Sequence, residues 1–252
     1  MYPKVLIGSP VFKREWILPT WFRAIEEQKY PLDRIGFVFE LGPNDPETEQ
    51  ILFDWHSKHP EVFAFDVHTE ENVRHEMHPE GTRPWTYSKY EKMATLRNNL
   101  LSRVRCLEPD RYFSLDSDII LSNKTTIAQL VHHTETLDAV NILCHMHPKT
   151  ERFPSVMSWV EQPGRKAKRL HDRYPIGTLF QADIIMAAKM MSKPVYMNTS
   201  YYAHRQGEDL GWSGDCARQG FKLWCASDIK ADHIMHRWML EEFKGLNQEY
   251  CA

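Results

Sequence analysis

A chain of 252 residues, 42% hydrophobic and 26% charged, has the length for one α/β domain, and its composition excludes a disordered or fibrous protein. A net charge of -3 gives no general pull toward nucleic acid or acidic membranes. Five cysteines without a C-x-x-C pair suggest neither a zinc ribbon nor a disulfide framework and fit reduced thiols, and no apolar run approaches the roughly 18 residues of a bilayer span, so a cytoplasmic protein without a transmembrane segment is expected.

In chain order, Val5, Leu6 and Ile7 form a short apolar run closed by Gly8-Ser9-Pro10, which predicts a buried strand ending in a loop. Residues 14–28 place Trp16, Ile17, Trp21, Phe22 and Ile25 on one helical stripe. A second strand is expected over 35–39, a break at 42–46, a helix over 47–59 and a third strand over 62–67. Residues 69–86 are polar and histidine-rich, with prolines that argue against regular structure; so long a connection is usually functional or mobile. A helix over 88–106 and a strand over 112–115 complete the first half. This β-α-β-α-β-α-β order predicts a mainly parallel sheet flanked by helices. Ligands bind beyond the carboxyl ends of such strands, which makes residues 10–14, 40–45 and 116–118 neighbours in one crevice. In the second half a strand is expected over 137–144, while residues 178–191 mix strand and helix signals. One domain over 1–252 is expected, with a donor half (about 1–121) and an acceptor and catalytic half (about 122–252).

Two acidic pairs carry the chemistry. Asp116-Ser117-Asp118 lies between apolar runs, where a buried strand reaches the ligand edge. Mg²⁺ and Mn²⁺ prefer carboxylate oxygens, and a nucleotide diphosphate leaving group needs such a cation. Alone, Asp-x-Asp also occurs in ordinary turns. Glu208-Asp209 precedes a helix predicted over 213–220. Acids there can simply stabilise a helix dipole; alternatively one of them is a general base that deprotonates an acceptor hydroxyl.

Arg97-Asn98-Asn99, the strand running into Asp116-Ser117-Asp118, and Glu208-Asp209 followed by Arg218-Gln219-Gly220-Phe221 together resemble the family 2-like GT-A glycosyltransferases. The resemblance touches most of the chain from residue 5 to about 233. It implies a GT-A fold and a metal-dependent sugar transfer from a UDP- or GDP-linked donor with Mn²⁺ or Mg²⁺, inverting in stereochemistry, with retention left open if Asp209 only orients the acceptor. By position it implies Asp118 and Asp116 at the metal, with His233 as a further ligand and His236 second. It places Pro10, Arg14, Glu40, Arg97, Asp116 and Ser117 on the donor. Asp209 becomes the base, with Glu208 beside it on the acceptor side. The sequence departs from that pattern after the second strand, where Glu40-Leu41-Gly42-Pro43 lacks the usual paired aspartates.

Trp85, Trp159 and Trp212 lie in loop-like contexts where a ring could stack on a sugar; Trp85 and Trp212 are the acceptor candidates. The most basic stretch holds Arg165, Lys166, Lys168, Arg169 and Arg173. It reads as a solvated face, a lid over the diphosphate, or a contact for a phosphate-rich acceptor. The acceptor is left open among a glycan, a protein, a lipid and modified DNA. His132-His133 and His145-Met146-His147 lack acidic partners at useful spacing, and His75-Glu76-Met77-His78 is one residue short of a zinc motif. A GT-A-like nucleotidyltransferase fits less well, because residues 8–14 supply one glycine and late basic residues where a triphosphate loop is needed. A non-catalytic nucleotide-sugar or glycan-binding protein would have no use for Asp209.

Overall fold

Apolar runs bounded by turn residues become the strands of one curled sheet. In the computed structural model, which describes residues 2–69, 85–146, 155–160, 162–170 and 174–246, the first half follows the predicted order. It runs β1 (Val5–Val11), α1 (Leu18–Glu26), β2 (Ile35–Leu41), α2 (Pro46–Lys58), β3 (Phe65–Thr69), α3 (Tyr87–Leu107) and β4 (Arg111–Leu115). β1 and β2 are almost wholly buried, as expected of continuous apolar strands covered on both faces. α1 starts at Leu18 and not at Arg14, because Pro19 is best tolerated in a first turn.

The second half is β5 (Ile119–Leu121), α4 (Thr126–His133), β6 (Ala139–Met146), β7 (Val156–Trp159), β8 (Ala167–Arg169), β9 (Leu179–Ala182), β10 (Ile184–Ile185), β11 (Ala188–Ser192), α5 (Lys193–Asn198), α6 (Glu208–Arg218), β12 (Leu223–His233) and α7 (Arg237–Leu246). The ambiguous segment 178–191 is therefore strands. α6 begins at Glu208, five residues before the predicted start, so the acidic pair lies inside its first turn, where the helix dipole favours negative charge. Gly207 enters that turn at φ 137°, a backbone that suits glycine.

The strand order is β3-β2-β1-β4-β11-β6-β12-β5. Pairing is parallel through β3, β2, β1 and β4, as expected. It is antiparallel where β11 inserts between β4 and β6, and where β12 meets β5 and β9. The sheet is thus mixed: β6 and β12 of the second half are also parallel neighbours, while β11, β5 and β9 run antiparallel to the strands they pair with. β7, β8 and β10 form a separate three-stranded ribbon.

Alternation along each strand divides the core between two faces. Ile7, Phe37, Phe39, Phe113 and Leu115 pack on α1 and α2, with Trp21, Phe22 and Trp55. Leu6, Val38 and Tyr112 pack on the other face, beneath Leu100 and Val104 of α3 and Trp212 of α6. Among the described residues no helix is long and apolar enough to cross a membrane, and Cys106, Cys144, Cys216 and Cys225 are free thiols. Cys251 and most of the histidine-rich segment, including His75 to His78, lie outside the described residues, as do His147 and Arg173.

Candidate active site

The carboxyl ends of β1, β2 and β4 meet at one edge, and the Asp116-Ser117-Asp118 turn closes it. Three contacts fix that turn. The Asp116 N–H donates to the Ala187 carbonyl, the Trp21 indole donates to the Asp116 carbonyl, and Ser117 Oγ donates to the Pro10 carbonyl at 3.2 Å. The Ile234 N–H donates to the Asp118 carbonyl, which brings the end of β12 against the turn although the residues are far apart in sequence. His233 Nε2 consequently lies 3.4 Å from Asp118 Oδ1, while Arg14 Nη2 donates to Asp118 Oδ2 at 2.9 Å. Arg14 is aimed by the loop after β1: the Lys13 N–H donates to Asp45, the cap of α2, and the Arg14 N–H donates to Thr48 Oγ1. Burial opposes ionisation of Asp118, but His233 and Arg14 outweigh it and hold the carboxyl well below its usual range. Burial also opposes a charged His233, and Asp118 overrides it in the opposite direction.

A carboxylate oxygen and an imidazole nitrogen this close are a donor pair suited to Mn²⁺ or a similar cation. Asp116 is differently engaged, since both its oxygens accept from Arg97 Nη2, at 2.8 and 3.1 Å. Among the described residues no three His, Cys, Asp or Glu side chains are gathered as a cation cage. A cation placed between Asp118 and His233 would need substrate phosphates or water to complete its coordination.

Arg97 is the hub between the acidic pairs. On α3, 3% exposed, it donates to Asp116 by Nη2, to Ser114 by Nη1 and to Glu208 Oε1 by Nε at 3.0 Å. Its neighbour Asn98 explains the Arg-Asn pair: the Asn98 amide donates to the Tyr201 carbonyl and accepts the Tyr201 N–H, clamping the loop before α6. Asp209, next to Glu208, accepts from Lys189 Nζ at 2.5 Å. Lys189 is fully buried, over the rings of Tyr201 and Trp212. Burial and the Asp209 charge push the Glu208 carboxyl up. Burial pushes Asp116 up despite Arg97. For Asp209 burial is outweighed by Lys189 and Arg97, and its carboxyl is lowered.

Several expectations are corrected by burial. Trp212 is fully enclosed, with its indole N–H on Thr199 Oγ1, so no sugar can stack on it. Ser117 is 4% exposed and fastens the turn to β1, and Arg97 is spent on protein carboxylates, so neither presents a group to a donor directly. Glu40 is buried at the end of β2 with Oε2 3.1 Å from His68 Nδ1; His68, exposed on the edge strand β3, gave no sequence signal. Trp85 is 49% exposed and stacks on Tyr90, which borders Gly207 just before Glu208. The basic stretch begins on the turn into β8, which is tied to the same loop by the His204 ring on the Arg165 carbonyl and by a reciprocal pair between Gln206 and Ala167. Lys189 was missed because a lone lysine among Ala188, Met190 and Met191 has no motif around it; an isolated charge inside an apolar strand was the available signal.

Parallel strands that end on an Asp-x-Asp turn, with a second acidic pair over it, define a GT-A glycosyltransferase fold. Superposition agrees: the structure matches GalNAc-T7 with UDP, GalNAc and Mn²⁺ at TM-score 0.66 (12% identity; 93% of this chain, 44% of that one). It also matches the mannosyltransferase PcManGT of Pyrobaculum calidifontis, in complex with GDP-Man and Mn²⁺, at TM-score 0.61 (15% identity; 94% and 58%). At such identities the likeness concerns the fold. Residues 2–156 match the profile described as Glycosyltransferase family 25, N-terminal domain, and the chain belongs to that family. Curated relatives include a glycosyltransferase 25 family member of Aedes aegypti, 28% identical over 130 residues (51% of this chain, 21% of the relative). Procollagen galactosyltransferase 1-B of Xenopus laevis is 29% identical over 138 residues (54% and 23%), and an inactive family member 3 of Mus musculus is 26% identical over 130 residues (51% and 22%). The chain spans about a fifth of the length of these relatives.

Proposed function

We propose that this chain is a metal-dependent, inverting glycosyltransferase that takes a sugar, galactose by analogy with the procollagen galactosyltransferases, from a nucleoside-diphosphate donor. The observation that carries this reading is the Arg97 hub, which ties the Asp-x-Asp turn and the Glu208-Asp209 pair into one buried cluster. In this reading Pro10 and Arg14 line the donor side, the buried Glu40 supports that edge through His68, and Asp118 with His233 would hold Mn²⁺ or Mg²⁺. A divalent cation bound there neutralises charge on the departing diphosphate.

The rest falls to the chain's own groups. Asp209 accepts the proton of the acceptor hydroxyl as that oxygen bonds to the anomeric carbon from the face opposite the diphosphate. The bond from that carbon to the phosphate oxygen breaks, and its electron pair stays on the diphosphate. A carboxylate kept ionised is ready for this role, and partial exposure of Asp209 leaves it reachable. Arg97 holds Glu208 and Asp116 while the charge shifts. Trp85 and Tyr90, beside Gly207, supply an aromatic edge on the acceptor side. Since one relative is described as inactive, the case for catalysis rests on the acids of this chain and not on kinship.

Melting temperature is to be measured against UDP-, GDP-, CMP- and dTDP-sugars, with Mn²⁺, Mg²⁺ or EDTA. A ligand that binds only the folded state raises it by mass action. A rise with one nucleotide class that EDTA abolishes is expected. No rise with any sugar nucleotide, beside a clear one with a bare triphosphate, would replace this reading with a nucleotidyltransferase.

A further inference from the structure

We propose that Lys189 is the positioning residue of the transfer step, supplying the counter-charge of Asp209 and fixing the direction of its carboxylate. This rests on the reading of Asp209 as the base.

The placement of Lys189 follows from strand register. On β11 it stands opposite Ser114 of β4, and alternation sends both side chains to the face covered by α3 and α6. There the ammonium is fully buried, 2.5 Å from Asp209 Oδ1, with the Tyr201 and Trp212 ring centroids 5.4 and 5.0 Å away. A buried ion pair is a poor way to stabilise a core, because a well-packed apolar residue serves as well or better. The neighbours Ala188, Met190 and Met191 are apolar and fully buried, so stability alone gives no reason for a lysine here.

The backbone beside it is committed to the same carboxylate. Ala187 sits at φ 67°, a left-handed conformation that costs a non-glycine residue energy and that clusters at functional sites. In that conformation its N–H donates to the Asp209 carboxylate while its carbonyl accepts the Asp116 N–H. One short stretch, residues 187–189, thus holds Asp209 by a main-chain donor and by an ammonium, and fixes the donor-side turn as well.

The charged and titratable groups around Asp209 are Lys189 from β11, Arg97 from α3, Asp116 after β4, Tyr201 from the loop and Glu208 from its own helix. Two cations face three carboxylates. Without Lys189, Arg97 alone would serve all three, and Asp209 would take up a proton at a higher pH. A protonated Asp209 cannot accept the acceptor's proton.

The test is release of UDP from UDP-galactose with Mn²⁺, water standing in as acceptor, over about pH 4 to 9 for wild type, Lys189→Met, Lys189→Arg and Asp209→Asn. In Lys189→Met the acid limb of kcat/KM is expected to move up by about one unit or more, so that the loss is about tenfold on the acid side of the wild-type limb and shrinks to little at neutral pH. UDP affinity should stay within about threefold, since the contact lies on the base and not on the donor, and Lys189→Arg should keep the limb low. A limb that stays in place while the plateau falls, or no change at all, overturns the proposal. If Lys189→Met does not fold, Lys189→Gln carries the same comparison. If neither folds, the wild-type limb decides, below about pH 5 in favour and near or above about pH 6 against. Asp209→Asn separates the two readings. If it releases UDP at the wild-type rate, the base assignment has failed; if it is inactive while the Lys189→Met limb is unmoved, only the role of Lys189 has failed.

Discussion

Asp118 and Asp209 are both carboxylates held ionised, yet their surroundings assign them different work. Asp118 faces His233 and Arg14 at the open edge of the sheet, a setting for a cation and a diphosphate. Asp209 faces a buried ammonium and a main-chain donor. Asp118→Asn is therefore expected to abolish the Mn²⁺-dependent part of UDP binding, measured by calorimetry with and without EDTA. Asp209→Asn should keep UDP binding within about threefold and lower turnover at least about a hundredfold, the usual size of a general-base contribution. Equal loss of UDP binding in both variants would dissolve the division between them. Both acids stand out in the sequence, Asp118 where an apolar run gives way to a turn and Asp209 in an acidic pair just ahead of a helix. Their pairing with counter-ions does not show there: Arg14 is one of two adjacent basic residues in its loop, and Lys189 belongs to no motif.

At the scale of elements, α6 delivers the acidic pair, and its position depends on how closely the preceding loop lies against it. Gly211 allows that approach, since a Cβ built there would lie 1.8 Å from the Tyr202 carbonyl oxygen, inside any tolerable contact. The obstacle is backbone, which cannot rotate aside as a side chain can. Gly211→Ala is accordingly expected to destabilise the protein by about 2 kcal/mol or more through overpacking, and to lower kcat because the loop also carries Tyr201 beside Lys189. Urea unfolding and turnover check the two parts separately. Wild-type stability in this variant would mean that α6 and the loop part without cost. The predicted start of α6 was late by five residues because acids followed by glycine read as a turn. Packing on the 200–206 loop and the dipole preference for Glu208 and Asp209 lengthen the helix instead.

Over the whole molecule, the first and second halves share a continuous sheet, and Arg97 is the buried charge that joins them. Arg97 comes from α3 in the first half and reaches Glu208 in the second, while Asp116 receives the same guanidinium. Removing one partner of a buried ionic cluster leaves the others uncompensated. Arg97→Met should therefore cost about 3 kcal/mol or more, or roughly 6–12 °C in melting temperature for a chain of this size. Scanning calorimetry reads that loss directly; a shift below about 2 °C would mean that the halves are held by sheet pairing alone. The expected parallel sheet is present in the first half, where helices alternate with strands. Antiparallel pairing of β11 with β4 and β6 joins segments far apart along the chain, which local periodicity does not bring together.

The sequence by itself determined the alternation of strands and helices, the crevice at the carboxyl ends of β1, β2 and β4, and the identity of the acids at its rim. These follow from local apolar periodicity and from turn residues, which act over a few positions. Only the tertiary structure decided which cations face those acids, that Trp212 is core, and that His233 meets Asp118. Each of these depends on register between strands distant in sequence, β5 with β12 and β4 with β11, and on burial that no local pattern encodes. The charge buried on β11 is matched by a carboxylate on α6, so its purpose becomes visible only when the helix is laid on the sheet.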